Sequence, residues 1–297
     1  MYKIAEWNLN NAAHEILIPD FVSEEIKNLD VDIMIITEFV YCSISASFLD
    51  KAFKECGYDY LITENFDKTN QQNDVIIAWK FDKFSMVDKF EKINKKFKTT
   101  FSSNTPNFLV VKLKETKYQG REFIVVGLRI TMGDGEQKSQ EKLRRSQLVS
   151  VLEEINNITE TDAYCSIIIG GDFNNYRRGY KSGLNESWDM PTFKEITLQK
   201  SYESYIPNGS SIYNESCFNK DYEFPEDRFV VKNCYVENYK YDRSFTYRNS
   251  DIYIHGADFQ VYDNHLKRNI WKIICGSGIP DHAILTGDLI LEKCENE

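Results

Sequence analysis

Four stretches of the chain have the pattern of buried strands, each joined to a polar cluster: residues 3–8, 32–38, 166–172 and 281–285. Short β-branched runs bounded by turn residues predict buried strands. Seven further runs mix polar and apolar positions and predict strands at 74–80, 84–90, 108–114, 122–131, 229–237, 250–255 and 258–262. Helical spacing is clearest over 137–157, where Leu148, Val151, Leu152 and Ile155 fall at i, i+3, i+4 and i+7 and form one apolar face. Lys142, Arg144, Arg145, Glu153 and Glu154 cover the rest of that helix. Weaker helical patterns occupy 20–29, 45–56 and 191–200. The segment 202–243 is polar and aromatic, is interrupted by Pro207, Asn208, Gly209 and Pro225, and reads largely as a long functional loop.

No repeat, low-complexity tract or Pro/Gly-rich linker divides the pattern, so one domain over residues 1–297 is expected. A chain of 297 residues buries enough surface to fold without disulfides, which favours an enzyme scaffold over a small binding module. No apolar run approaches the roughly 18 residues of a membrane span. Glu6 and Trp7 stand where a secretion signal needs a basic start and an apolar stretch. The seven cysteines form no CxxC pair, as expected of reduced thiols in a cytoplasmic protein. The net charge of −10 excludes a general polyanion-coating protein but not a nuclease, because acids in a cleft can hold cations against phosphate.

Candidate chemistry gathers where the apolar runs end. The run Ile167-Ile168-Ile169-Gly170-Gly171-Asp172-Phe173-Asn174 offers a carboxylate and a carboxamide, which side-chain alternation along extended backbone is expected to place on one side. The two glycines would let the backbone pass close to a ligand. Pro280-Asp281-His282 precedes the last apolar run, and a carboxylate beside an imidazole favours its charged form. Glu38 ends the second run, and Trp7-Asn8-Leu9-Asn10 ends the first. A capped turn, a surface histidine and polar strand ends account for each of these singly.

Taken in order, a Trp-Asn strand end, a Glu strand end, Gly-Asp-Phe-Asn and a late Asp-His resemble the endonuclease/exonuclease/phosphatase superfamily, the fold of DNase I and exonuclease III. The resemblance runs from Trp7 to Leu291. It implies an α/β, DNase I-like four-layer sandwich in which two mixed β-sheets pack face to face with helices outside. It also implies a phosphodiesterase dependent on Mg²⁺ or Mn²⁺, with Glu38 as the principal metal ligand and Asn8 and Asp281 beside it. Asp172 would activate the attacking water, Asn174 would hold the phosphate or the nucleophile, and His282 would donate to the scissile phosphate. An aspartate on a strand before the last motif would fix the His282 ring. Asp258 is preferred over Asp251 for this role because its spacing is closer to the family pattern.

Two positions depart from that pattern. Where many members carry a histidine in a Thr-His-Leu context, the matching strand reads Gly127-Leu128-Arg129-Ile130, and Arg129 is expected to grip the phosphate without acting as acid or base. Asn10 stands where some nucleases have an aspartate. The helix that follows carries Arg144 and Gln147 at the family's Arg-x-x-Gln spacing.

After Asn174 comes Asn175-Tyr176-Arg177-Arg178-Gly179-Tyr180-Lys181, where cations interleave with aromatics. Such a mixture suits a polyanion with stackable bases, so nucleic acid is the expected partner, with Arg177 and Arg178 on its phosphates. The alternatives are a phosphatase or phospholipase acting on a small phosphorylated substrate such as an inositol phosphate, lipid headgroup or nucleotide, and a catalytically reduced scaffold that binds a partner through segment 202–243.

Overall fold

The computed structural model describes residues 1–9, 18, 20–40, 46–63, 74–96, 106–117, 120–130, 138–160, 162, 164–174, 190–209, 211, 225–242, 246–249, 252–255, 280 and 282–291. In chain order the strands are β1 (Tyr2–Asn8), β2 (Ile33–Phe39), β3 (Tyr58–Ile62), β4 (Asp74–Lys80), β5 (Phe84–Asp88), β6 (Asn107–Glu115), β7 (Glu122–Arg129), β8 (Ser166–Asp172), β9 (Glu203–Tyr205), β10 (Asp227–Lys232), β11 (Cys234–Asp242), β12 (Thr246–Asn249), β13 (Ile252–His255) and β14 (Ile284–Leu291). The helices are α1 (Asp20–Leu29), α2 (Ala46–Ala52), α3 (Glu91–Lys96), α4 (Lys138–Ile158) and α5 (Met190–Gln199). No helix among the described residues is long and apolar enough to cross a membrane.

The apolar runs become interior strands of two six-stranded sheets. The first has the order β11-β14-β1-β2-β4-β3 and the second β5-β6-β7-β8-β10-β9. Each sheet is mixed. The pairs β1/β2 and β7/β8 are parallel, and the remaining pairs in both sheets are antiparallel. Strands β12 and β13 form a separate two-stranded ribbon.

Three apolar clusters fill the gaps between four layers. Val22 and Ile26 of α1 pack with Trp7, Met34 and Ile36 on the outer face of the first sheet. Between the sheets, Ile4, Ile33, Ile35 and Val75 meet Val125, Ile168, Phe229 and Val231. Leu148, Val151, Leu152 and Ile155 of α4 cover Val126, Leu128, Ile167 and Ile169 on the outer face of the second. Each of these side chains, fully buried, contributes roughly 1.5–3 kcal/mol. The helical stripe read from the sequence is therefore the one that closes the second sheet, and the architecture is the expected two-sheet α/β sandwich with helices outside.

The glycines of the third run have a packing reason. A Cβ on Gly171 would stand 1.8 Å from the Leu128 carbonyl oxygen, and one on Gly170 would stand 2.7 Å from Ile35 Cδ1. These glycines let β8 lie close to its neighbouring strand and to the facing sheet.

The described residues of segment 202–243 hold β9, β10 and β11, more strand than its reading as a long loop allowed. The single strand expected over 229–237 is two strands. Asn233, at φ 54°, breaks the run so that β10 pairs in the second sheet and β11 in the first. A left-handed backbone is tolerated by Asn far better than by the branched residues on either side. Asp258 and the strand expected at 258–262 lie outside the described residues.

Candidate active site

Along the faces that meet between the sheets, apolar side chains give way to polar ones at one end. Strand alternation gives the sequence Ile4, Glu6, Asn8 on β1 and Ile33, Ile35, Thr37 on β2. On the second sheet it gives Val125, Gly127, Arg129 on β7, Ile168, Gly170, Asp172 on β8 and, reversed, Val231, Phe229, Asp227 on β10. The register completes the placement. Asp172 is paired with Arg129 across the parallel β7/β8 ladder and with Asp227 across the antiparallel β8/β10 ladder. A cation and two carboxylates thus stand in one row, facing the acid and amide of β1.

Asp172 is the hub of the network. Its Oδ2 accepts hydrogen bonds from Asn8 Nδ2 at 3.1 Å and from Asn174 Nδ2 at 2.7 Å. Its Oδ1 accepts the Asn174 backbone N–H at 2.7 Å. Asn174 also donates to the Ile130 carbonyl at 2.8 Å. Asp172 and Asn174 do come together, but not through strand alternation as expected. The strand ends at Asp172, and Asn174 turns back on it at φ 45°. Burial, reinforced by the negative charge of Asp227, pushes the Asp172 carboxyl up to about 6, against the opposing pull of His282 and Arg129.

Glu38 leaves β2 through an irregularity in the β2/β4 register between Ile36 and Phe39, with φ 53°. A bulge of this kind re-aims a side chain at a local conformational cost. Here it brings the carboxylate against Arg129, whose Nε lies 2.6 Å and Nη2 2.5 Å from Glu38 Oε1. Arg129 Nε is also 4.0 Å from Asp172 Oδ2. Burial works against the Arg129 charge, but Glu38 and Asp172 outweigh it and hold the guanidinium above its ordinary range.

His282 lies two residues before β14 and is buried. Its Nδ1 is 2.6 Å from Asp227 Oδ2. A carboxylate in its charged form can only accept, and in that pairing Nδ1 is the donor. Asp227 thus takes the ring-holding role for which the sequence reading preferred Asp258, with Asp251 as its alternative. Both lie outside the described residues, and Asp227 holds the ring. The preference rested on distance along the chain, whereas the β8/β10 ladder brings in a residue 55 positions away. The available signal was Asp227-Arg228-Phe229-Val230-Val231, an acid two places before an inward-facing aromatic at the start of a β-branched run.

Two more residues escaped the sequence reading. Ser211 Oγ accepts the backbone N–H of Glu226 at 2.9 Å and of Asp227 at 3.1 Å, while its carbonyl accepts the Ala283 N–H at 2.6 Å. It clamps the strand of Asp227 to the segment of His282. Glu6 is fully buried and accepts the Thr37 hydroxyl on Oε1 at 3.0 Å. Its Oε2 has no hydrogen-bond partner among the described residues. Burial first, then the charge of Asp227, raises its carboxyl well above the ordinary range. Trp7, flagged as part of a strand-end motif, donates its indole N–H to the His282 carbonyl at 3.0 Å. Arg144 and Gln147 of α4 are both buried.

The structure therefore brings together Asn8, Glu38, Arg129, Asp172, Asn174 and His282. Asn10, Arg177, Arg178 and Asp281 fall outside the described residues. Carboxylate and amide oxygens are hard donors suited to Mg²⁺ or Mn²⁺. Among the described residues no three His, Cys, Asp or Glu side chains form a metal-binding group. Glu38 with the Asn8 amide oxygen is the sparse kind of set that Mg²⁺ uses when it keeps several waters.

No family model and no curated protein sequence matches the chain. Similarity lies in the three-dimensional structure. An endonuclease/exonuclease/phosphatase family protein from Bacteroides thetaiotaomicron superposes with a TM-score of 0.66 at 15% identity, over 99% of this chain and 96% of the other. A mannosyl-6-phosphatase from the same species gives 0.62 at 15% identity, over 98% and 100%. TDP2 from D. rerio, complexed with a single-strand DNA product, gives 0.57 at 11% identity, over 97% and 98%. With two mixed six-stranded sheets packed between helices, the chain has the fold of the endonuclease/exonuclease/phosphatase proteins.

Proposed function

We propose that the chain is a metal-assisted phosphoesterase that hydrolyses phosphodiester bonds, with nucleic acid as its substrate. The observation that carries this reading is the row of Arg129, Asp172 and Asp227 at the mouth of the two sheets, with His282 held on Asp227 and two asparagines held on Asp172. Hydrolysis of a phosphodiester needs a proton acceptor for water, a donor to the charged phosphoryl oxygens and local positive charge. Asp172 takes the water proton, and its raised pKa makes it a better acceptor than an ordinary aspartate. His282 is stabilised as an imidazolium by Asp227 and donates to the oxygen on which charge builds. Glu38 and the Asn8 amide oxygen are the atoms that would hold Mg²⁺ or Mn²⁺, and such an ion supplies positive charge against the phosphoryl group.

Nucleic acid is supported by the basic and aromatic run at 175–181, which follows Asn174 directly, and by the fold shared with TDP2 in its DNA-product complex. A monoester phosphatase is the second reading, favoured by the fold shared with the mannosyl-6-phosphatase. Incubation with Mg²⁺ or Mn²⁺ and a labelled single-stranded oligonucleotide should give shortened products, lost in Asp172→Ala and His282→Ala. Release of inorganic phosphate from small monoesters, with oligonucleotides left intact, overturns the nuclease reading and supports the second.

A further inference from the structure

We infer that Arg129 is a resident counter-ion with which a divalent cation must compete for Glu38, so that this residue sets how tightly the site holds metal. The inference rests on the reading above only in taking Glu38 as the metal-binding carboxylate. Arg129 Nε and Nη2 both converge on one oxygen, Glu38 Oε1, at 2.6 and 2.5 Å, and both side chains are almost wholly buried. Water screens a pair in this position weakly, so the guanidinium cancels much of the field that would attract a cation to the same carboxylate. Arginine keeps its charge across the working pH range.

The backbone makes the arrangement durable. Arg129 is the last residue of β7, and its pairing with Asp172 in the ladder fixes where its side chain starts. The bulge at Glu38 directs the carboxylate to meet it. Asp172 Oδ2, 4.0 Å from Arg129 Nε, offers the guanidinium a second acid to lean on when a cation draws Glu38 away. An ion thus has to share or displace a cation that the fold positions beforehand, and affinity falls accordingly.

The test is Mn²⁺ titration by calorimetry on the full chain without substrate, for the wild type, Arg129→Gln, Arg129→Lys and Glu38→Gln. Removing one unit charge a few ångströms from the ion should tighten Mn²⁺ binding on the order of tenfold in Arg129→Gln. Arg129→Lys, which keeps the charge, should stay near the wild type, and Glu38→Gln should abolish binding. Thermal unfolding gives a second readout, with Mn²⁺ raising the Tm of Arg129→Gln by more than it raises the wild type. Arg129→Met replaces Arg129→Gln should the latter not fold. Equal affinity in the wild type and the neutral variant overturns the inference, as does absence of Mn²⁺ binding in both. Because no substrate is present, a failure of hydrolysis leaves this result untouched, and the reverse also holds.

Discussion

His282 and Asp227, 55 residues apart in the chain, meet through a 2.6 Å contact between Nδ1 and Oδ2, with both side chains buried. The pair belongs to neither sheet alone. Asp227 opens β10 of the second sheet, and His282 precedes β14 of the first. Each end is anchored separately. The Trp7 indole holds the His282 carbonyl at 3.0 Å, and the Tyr241 hydroxyl holds the Asp227 carbonyl at 2.7 Å. Ser211 then joins the two segments. The dyad's geometry is therefore a direct readout of how the sheets pack.

Asp227→Asn keeps the volume and one acceptor but removes the charge that orients and stabilises the imidazolium. Loss of a positioned acid–base partner costs on the order of 10²- to 10³-fold in kcat. The expected outcome is a fall of that size in oligonucleotide cleavage with an unchanged circular dichroism spectrum. A variant retaining most of its kcat would show that the contact orients the ring without assisting catalysis.

Asp172 is expected to titrate near pH 6 in the metal-free protein, measured by ¹³C NMR of the carboxyl. Arg129 opposes the upward shift, so Arg129→Gln removes a favourable charge and frees the negative Glu38 nearby. Both changes disfavour a second carboxylate, and the Asp172 midpoint should rise. An unchanged midpoint would mean that the Arg129 charge does not reach Asp172.

Ser211→Ala removes the one oxygen that accepts two buried backbone N–H groups. Leaving buried donors unsatisfied costs about 1–3 kcal/mol each, so a Tm drop of several degrees is expected. Because those donors belong to Glu226 and Asp227, kcat should fall alongside Tm. Differential scanning calorimetry and a kinetic assay at a temperature where the variant is fully folded separate the two effects.

Much of this site was legible because its residues end apolar strands. Glu38, Asp172 and Asn8 stand at the point where the apolar runs give way to polar residues, and that boundary is visible in the order of residue types. What the one-dimensional pattern could not carry was register. Asp227 reaches His282 only because β10 runs antiparallel to β8 with Asp227 opposite Asp172. Nothing in the local run Asp227-Arg228-Phe229 states which strand it will face. The strand hop at Asn233 was hidden for a related reason, since 229–237 is continuously strand-like in composition and only a left-handed backbone at one residue divides it. Arg129 was found by its place in the strand, but its partner was not. The sequence suggested a phosphate contact, and the bulge that turns Glu38 toward it has no signature in residue type.

Glu6 gives the last prediction, and it concerns stability. Burial and the charge of Asp227 raise its carboxyl well above the ordinary range, so the folded protein retains a proton that the unfolded chain sheds above its ordinary pKa of about 4.3. A folded-state pKa raised above the unfolded one gives a contribution that is complete below about pH 4 and is lost as pH rises through the folded-state value. Glu6→Gln cannot ionise, and it keeps an oxygen to accept the Thr37 hydroxyl. Its amide nitrogen places a donor where Oε2 has no partner among the described residues. The substitution should therefore stabilise the protein at pH 7.5 by on the order of 1 kcal/mol, about 2 °C in Tm, and by less at pH 4.5. Thermal melts of the wild type and Glu6→Gln at the two pH values check the sign. A variant that is less stable at pH 7.5 would show that the Glu6 carboxylate is needed in its charged form.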